Sequence, residues 1–161
     1  MQEKLYAGLT YEQAVRKYSK TVANTCIIRL QNYADAEDCF QNVFVKLYTK
    51  SPQFNDEKHL KAWLTRVAIN ECNTCLKRNN LFIPLKTIKR EETYTIDDTN
   101  DVLWALFKTP PKYREVLFLY YCEQYKVEEI AEILGINKNT VKTRLNRGRE
   151  KLKSIYGGDQ A

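Results

Sequence analysis

Seven Lys/Arg residues against one acid, Glu150, stand in the twenty residues Asn137–Tyr156, NKNTVKTRLNRGREKLKSIY. A cationic run of that density does binding chemistry: it attracts a polyanion and holds its phosphates. Val141, Leu145, Leu152 and Ile155 recur through it at the helical period, with Gly148 filling the gap, so one face can be buried while the other stays basic. Upstream, Val127, Ile130, Ala131 and Leu134 form a second amphipathic helix that ends in Gly135, with Ile136 as a plug and Asn137 as a cap. Helix, glycine turn and basic helix make the pattern of a helix-turn-helix, whose second helix enters the DNA major groove. With Val141 inward, Asn139, Lys142, Thr143 and Asn146 face outward, where they can read base edges. Arg144 and Arg147 flank them as phosphate contacts, and Lys138 completes the DNA-binding set of this helix. The plain alternative is a solvated basic helix in an ordinary bundle.

Three further constellations are weaker. Trp63, Arg66, Asn70, Asn73 and Lys77 fall on one face of a helix, opposite a stripe at Leu60, Leu64 and Val67. An aromatic ring among cationic and amide groups suits single-stranded DNA, whose bases stack and whose phosphates need partners. Equally, Trp63 can be a core residue at the edge of the stripe. The acids Asp35, Glu37 and Asp38 open another helix, where the dipole favours negative charge. Asp38, Gln41 and Val45 lie away from a stripe at Phe40, Val43, Phe44 and Leu47, and the acidic patch suits either a basic protein partner or simple capping. Cys72 and Cys75 form a C-x-x-C inside a helix. Zinc would need two more ligands at a suitable spacing and the sequence has one histidine, His59, so helix packing is the better reading. With so few His and Ser residues no catalytic set assembles, and nothing points to a cofactor or a metal.

The elements that must carry these groups are helices. Gly and Pro are scarce, at five and four residues in 161, and no useful alternating pattern appears. A first helix begins at Thr10, which has capping-box spacing to Gln13, and its apolar face runs through Val15, Tyr18, Val22 and Cys26 to Leu30. Asp35 is the expected cap of the second helix, and a third runs from about His59 to Arg78 after the loop SPQFNDEK. Helices are also expected around Val102–Lys108 and after Pro110–Pro111, the latter with Tyr113, Val116, Leu117 and Tyr120 inward. From about Asn79 to Asn100, before these two helices, the helical pattern breaks, and Arg90–Asp101 carries five acids against one base. The economical architecture is all-α: two small helical domains, residues 1–80 and 101–161, joined by a linker at 81–100. The pI near 9.0 favours a polyanionic partner. The N-terminus lacks the apolar core of a signal peptide, no run is long enough to cross a bilayer, and five irregularly spaced cysteines suit a reducing cytoplasm.

In order and spacing, three blocks resemble the small two-domain bacterial sigma factors of the extracytoplasmic-function type, in the sigma-70 family. DAEDCFQNVFVKLY is similar to the second-region helix that docks on the clamp helices of RNA polymerase. HLKAWLTRVAINECNTCLKR is similar to the segment that opens and reads the minus-ten element. YREVLFLYYCEQYKVEEIAEILGINKNTVKTRLNRGREKL is similar to the fourth-region domain that reads the minus-thirty-five element. The resemblance implies that Asp35, Glu37, Asp38, Gln41 and Asn42 face core polymerase, while Trp63, Arg66, Asn70 and Lys77 face the non-template strand. Phe54 and Asn55 would lie near a pocket for a flipped base. It also implies promoter DNA, duplex and single-stranded, as a partner, and an anti-sigma protein as a regulator. Ile69, Thr74 and Asn42 depart from the family's usual basic and acidic residues. The competing readings are a helix-turn-helix regulator that binds duplex DNA without being a polymerase subunit, and an RNA-binding or interaction module. The acidic DAED face beside the Trp63–Lys77 face argues against the regulator.

Overall fold

Thr10 and Gln13 fix where the first helix starts. In the computed structural model, which describes residues 3–50, 52–81 and 105–159, the Gln13 N–H donates to Thr10 Oγ1 and the Thr10 N–H donates to Gln13 Oε1. This reciprocal cap opens α1 (Tyr11–Leu30), which ends where Gln31 turns left-handed at φ 53°. The next cap differs from expectation. Asn32, not Asp35, opens α2 (Tyr33–Lys50): its Oδ1 accepts the Asp35 N–H and its carbonyl accepts the Ala36 N–H. Asn32 directly follows the residue that ends α1, so one short turn serves both helices. α3 (Glu57–Leu81) starts two residues earlier than expected, because Asp56 Oδ1 takes the N–H of His59.

These three helices pack on one another in a first unit, within Met1–Arg90. Its interior holds Ala14, Tyr18, Val22, Cys26 and Ile28 of α1, then Cys39, Val43, Phe44 and Leu47 of α2, and a line from Leu60 through Leu64, Ala68 and Cys72 to Cys75 on α3. Val15, Phe40 and Val67, expected inside, are half-buried, because Ala14, Cys39 and Ala68 occupy the centre of each face. The small residues let the helix backbones approach closely. Tyr18 donates to Glu57 Oε1 at 2.8 Å and Lys17 reaches the same oxygen at 2.5 Å, which ties the start of α3 to α1.

The second unit lies within Glu91–Ala161. Residues 105–107 are helical, and the expected helix beginning at Val102 and the expected linker lie outside the described residues apart from residues 105–108 and Leu81. There follow α4 (Pro111–Leu117), a π turn (Phe118–Cys122), α5 (Val127–Leu134) and α6 (Lys138–Asp159). Arg114 is buried with its charge met by carbonyls: Nε donates to Leu106 O at 3.0 Å and Nη2 to Thr109 O at 2.8 Å. The π turn, closed by the Glu123 N–H on Phe118 O, puts adjacent Phe118 and Leu119 inside and leaves Tyr120 half-buried, where a regular helix would have set it inward. On α5 the innermost residues are Ile130 and Ile133, with Val127, Ala131 and Leu134 at the edges.

Gly148 of α6 is buried against α4, and a Cβ there would lie 2.9 Å from Leu117 Cδ1 and 3.0 Å from its Cγ. Leu117 is fully enclosed, in an interior that is close-packed. Overpacking of this kind costs about 1–3 kcal/mol, against roughly 1 kcal/mol gained in helix propensity. Gly148→Ala is therefore expected to lower the urea midpoint of the second unit's transition, by about 1 kcal/mol in stability. An unchanged or raised midpoint would show that the contact relaxes freely.

Candidate nucleic-acid and protein interfaces

Helix α5, the turn and α6 form a helix-turn-helix. Gly135 takes φ 67°, a left-handed value at which a side chain would be strained, and closes α5 by donating to Ala131 O. Asn137 caps α6 as its position suggests, with Oδ1 accepting the Asn139 N–H at 2.7 Å. Val141 and Leu145 are buried beneath, so Asn139, Lys142, Thr143, Asn146 and Arg147 are exposed on the far side and Arg144 is half-buried. The outward residues other than Lys142 divide into three groups. Asn139, Thr143, Arg144 and Arg147 line a cleft of about 260 Å³ together with Thr140, Lys112 and Tyr113. Lys138 stands 3.5 Å from Glu128 of α5. That carboxyl lies below its usual range, first through its own backbone N–H and then through Lys138. Asn146 is engaged by Arg149 at 2.9 Å. Lys112 is the cationic residue that sequence reading passed over; its only signal was its place directly after Pro110–Pro111.

On α3, Arg66, Asn70 and Lys77 are exposed along one face, and Trp63 is half-buried at its upper end. Phe54 meets the Trp63 ring edge to face at 5.7 Å and His59 at 5.2 Å, so the loop before α3 and its first turns share one aromatic cluster. His59 Nδ1 accepts the Asn55 N–H, which fixes the loop's backbone beside the ring. Phe54 also borders a cleft of about 380 Å³ with Lys4, Leu5, Ala7, Gly8 and Gln53. Asn73, expected on the same outward face, is turned elsewhere: its Oδ1 accepts from Arg29 Nε and Nη2 of α1. Ile69 is buried, so a basic residue there would have to enter the core.

On α2, Glu37, Asp38, Gln41 and Asn42 are exposed, and the same side continues into Val45 and Tyr48, 54% and 64% exposed. Acid at the helix start and apolar surface at its end make a surface suited to a partner that is both basic and apolar. Asp35 is set apart. It is half-buried and its Oδ2 accepts from Asn79 of α3. Asn42 reaches Glu71 at 3.5 Å, and Glu71 is also ion-paired with Lys46.

The Sigma-70 region 2 family model matches residues 14–81, and the Sigma-70, region 4 model matches residues 110–152. The RNA polymerase sigma factor SigV of Bacillus subtilis is 30% identical over 125 residues, 73% of this chain and 74% of that protein. This chain belongs to the sigma-70 family. It is a sigma factor of the extracytoplasmic-function type, a polymerase-binding subunit that recognises promoter DNA and supports initiation. The ECF RNA polymerase sigma factor SigW of the same organism is 26% identical over 155 residues, covering 84% of this chain and 83% of its own. Among solved structures, the sigma factor RpoE of Bartonella quintana, in complex with the anti-sigma factor NepR, superposes with a TM-score of 0.71. That pair is 25% identical over 91% of this chain and 96% of the other. The all-α reading agrees with these two helical regions.

The core of region 2 also holds what the C-x-x-C alone could not reveal. Cys26 of α1, Cys39 of α2, and Cys72 and Cys75 of α3 are all buried, and they gather closely enough that each influences its neighbours' titration. Among the described residues no group of three or more His, Cys, Asp or Glu side chains is placed to hold a metal ion. The Cys39 thiol is pushed up mainly by its hydrogen bond with Cys72 and then by burial. Cys72 rises mainly through its hydrogen bond with Cys26, and burial pushes Cys75 up to about 11. Such thiols stay protonated and pack as small apolar groups.

Folded region 2 holds these protons while the unfolded chain releases them near the ordinary value of 9.0, so the thiols' contribution is intact below pH 9 and is lost as pH rises, for Cys75 through about 11. The urea midpoint of the full chain should therefore fall between pH 9 and 11 under reducing conditions. Cys72→Ala should start lower and fall less steeply; equal slopes would contradict this account.

Proposed function

We propose that the sigma factor divides its work among three surfaces. In region 2, Asp35, Glu37, Asp38, Gln41 and Asn42 dock on core polymerase, with Val45 and Tyr48 extending the contact. Trp63, Arg66, Asn70 and Lys77 hold the non-template strand of the minus-ten element, and Phe54 and Asn55 border the place of a flipped base. In region 4, Lys138, Asn139, Lys142, Thr143, Arg144, Asn146 and Arg147 read the minus-thirty-five element, with Lys112 adding a phosphate contact. The domain limits we assign are residues 1–80 and 101–161, with 81–100 as connector.

One observation carries this reading: α2 and α3, packed in one unit, present an acidic-apolar face and an aromatic-cationic face. The first would repel DNA and suits a protein; the second suits unstacked bases. Strand opening is binding work without catalysis by the sigma factor. Stacking on the Phe54–Trp63 cluster favours the single-stranded state and shifts the duplex equilibrium toward it. The protein acts in the cytoplasm, where polymerase and promoter are. The complex of the similar RpoE with NepR supports an anti-sigma partner here too.

Transcription from fragmented genomic DNA by purified core polymerase and this chain tests the reading. Start sites absent with core alone are expected. Trp63→Ala should leave upstream protection in footprints and lower the melted fraction by roughly tenfold, since a stacked base contributes about 1–3 kcal/mol. Lys142→Ala should weaken upstream protection while leaving melting intact on a pre-opened template. Loss of both functions in both folded variants would overturn the division.

A further inference from the structure

Arg149 lies one helical turn beyond Asn146 on α6, and its guanidinium is held from three sides. Nε donates to Tyr121 Oη at 2.6 Å, and Nη1 donates to Asn146 Oδ1 at 2.9 Å. Its Cζ stands 5.6 Å from the ring centroids of both Tyr120 and Tyr121. The two rings meet edge to face at 4.9 Å, and adjacent tyrosines can both reach α6 because they belong to the π turn. Two aromatic faces and a phenol oxygen make a cation cradle, so an arginine on the surface has one preferred pose.

We propose that Arg149 is a positioning residue for promoter reading: it turns the Asn146 amide so that its NH₂ donors face the DNA. The chemistry leaves little freedom. A guanidinium carries donors only, so the atom it touches on Asn146 must be the oxygen, and the amide nitrogen points away from it. An unconstrained asparagine can flip and match either pattern, or pair both atoms with adenine. Held by Arg149, Asn146 favours bases that present acceptors in the major groove: guanine N7 and O6, adenine N7 or thymine O4. It disfavours cytosine, which offers a donor there. The inference rests on α6 being the helix that reads the upstream element. It adds Tyr121 and Arg149 to the determinants of that element without requiring either to touch a base.

The test uses the full chain with core polymerase and a promoter library randomised in the upstream element. Asn146→Ala and Arg149→Ala should both weaken discrimination against cytosine at the same single position, by about fivefold for one hydrogen bond. The double variant should be no worse than Asn146→Ala alone. Tyr121→Phe, which keeps the ring and loses the acceptor, should give a partial effect at that position. Arg149 and Tyr121 are exposed, so unchanged melting temperatures are expected for these variants. Uniform weakening at every position, as from a lost phosphate contact, would overturn the proposal, and so would effects at two different positions. A wild-type chain with no upstream preference at all would overturn the reading of α6 itself, and the proposal with it.

Discussion

The first unit depends on how α3 seats its narrow stripe between α1 and α2. The stripe tapers from Leu60 and Leu64 to Ala68, Cys72 and Cys75, so the lower half of the helix can approach its neighbours closely. Polar ties fix the rotation of the helix about its axis. Tyr18 and Lys17 hold Glu57 at the top, Arg29 holds Asn73 in the middle, and Asn79 reaches Asp35 near the bottom. A rotation by one residue, about 100°, would bury Arg66 or Asn70 and expose the thiols. The aromatic-cationic face of α3 and the acidic face of α2 therefore follow from one packing decision.

The second unit solves a smaller problem in the same way. A long basic helix cannot supply its own core, so α6 contributes Val141, Leu145 and a glycine, and lets α4 come close at Gly148. Arg114, buried and bound to two carbonyls, fastens the turn before α4, and the π turn then brings Tyr120 and Tyr121 to Arg149. With its inner face spent on packing, α6 has only its outer face for recognition. In the proposed reading its cations supply an electrostatic, salt-sensitive grip, and its amides and hydroxyls supply discrimination.

Local features were readable from the sequence because local chemistry decides them. The Thr10–Gln13 cap, the Gly135 turn and the Asn137 cap each involve residues within four positions of one another. The helical periodicity gave fold class and the outward faces, since a 3.6-residue repeat leaves few ways to bury apolar groups. Asp35 was misread as a cap because two Asx residues lie within four positions and only the end of α1 selects between them. The gathering of four cysteines could not be read, because it joins three helices whose order in sequence says nothing of side-chain approach. The diversion of Asn73 to Arg29 and the tyrosine cradle of Arg149 are likewise tertiary, and the π turn breaks the very period on which reading relies.

The central claim is that the two helical units contact DNA in different states, single-stranded at α3 and duplex at α6. Site-specific photo-crosslinking tests it most directly, with a photoreactive phenylalanine analogue placed at position 63 or 142 of the full chain. Position 63 should crosslink the non-template strand near the start site, only with core polymerase present and only under conditions that permit opening. Position 142 should crosslink upstream duplex, including on templates held closed at low temperature. Crosslinking of the same closed duplex segment from both positions, with or without polymerase, would contradict the account.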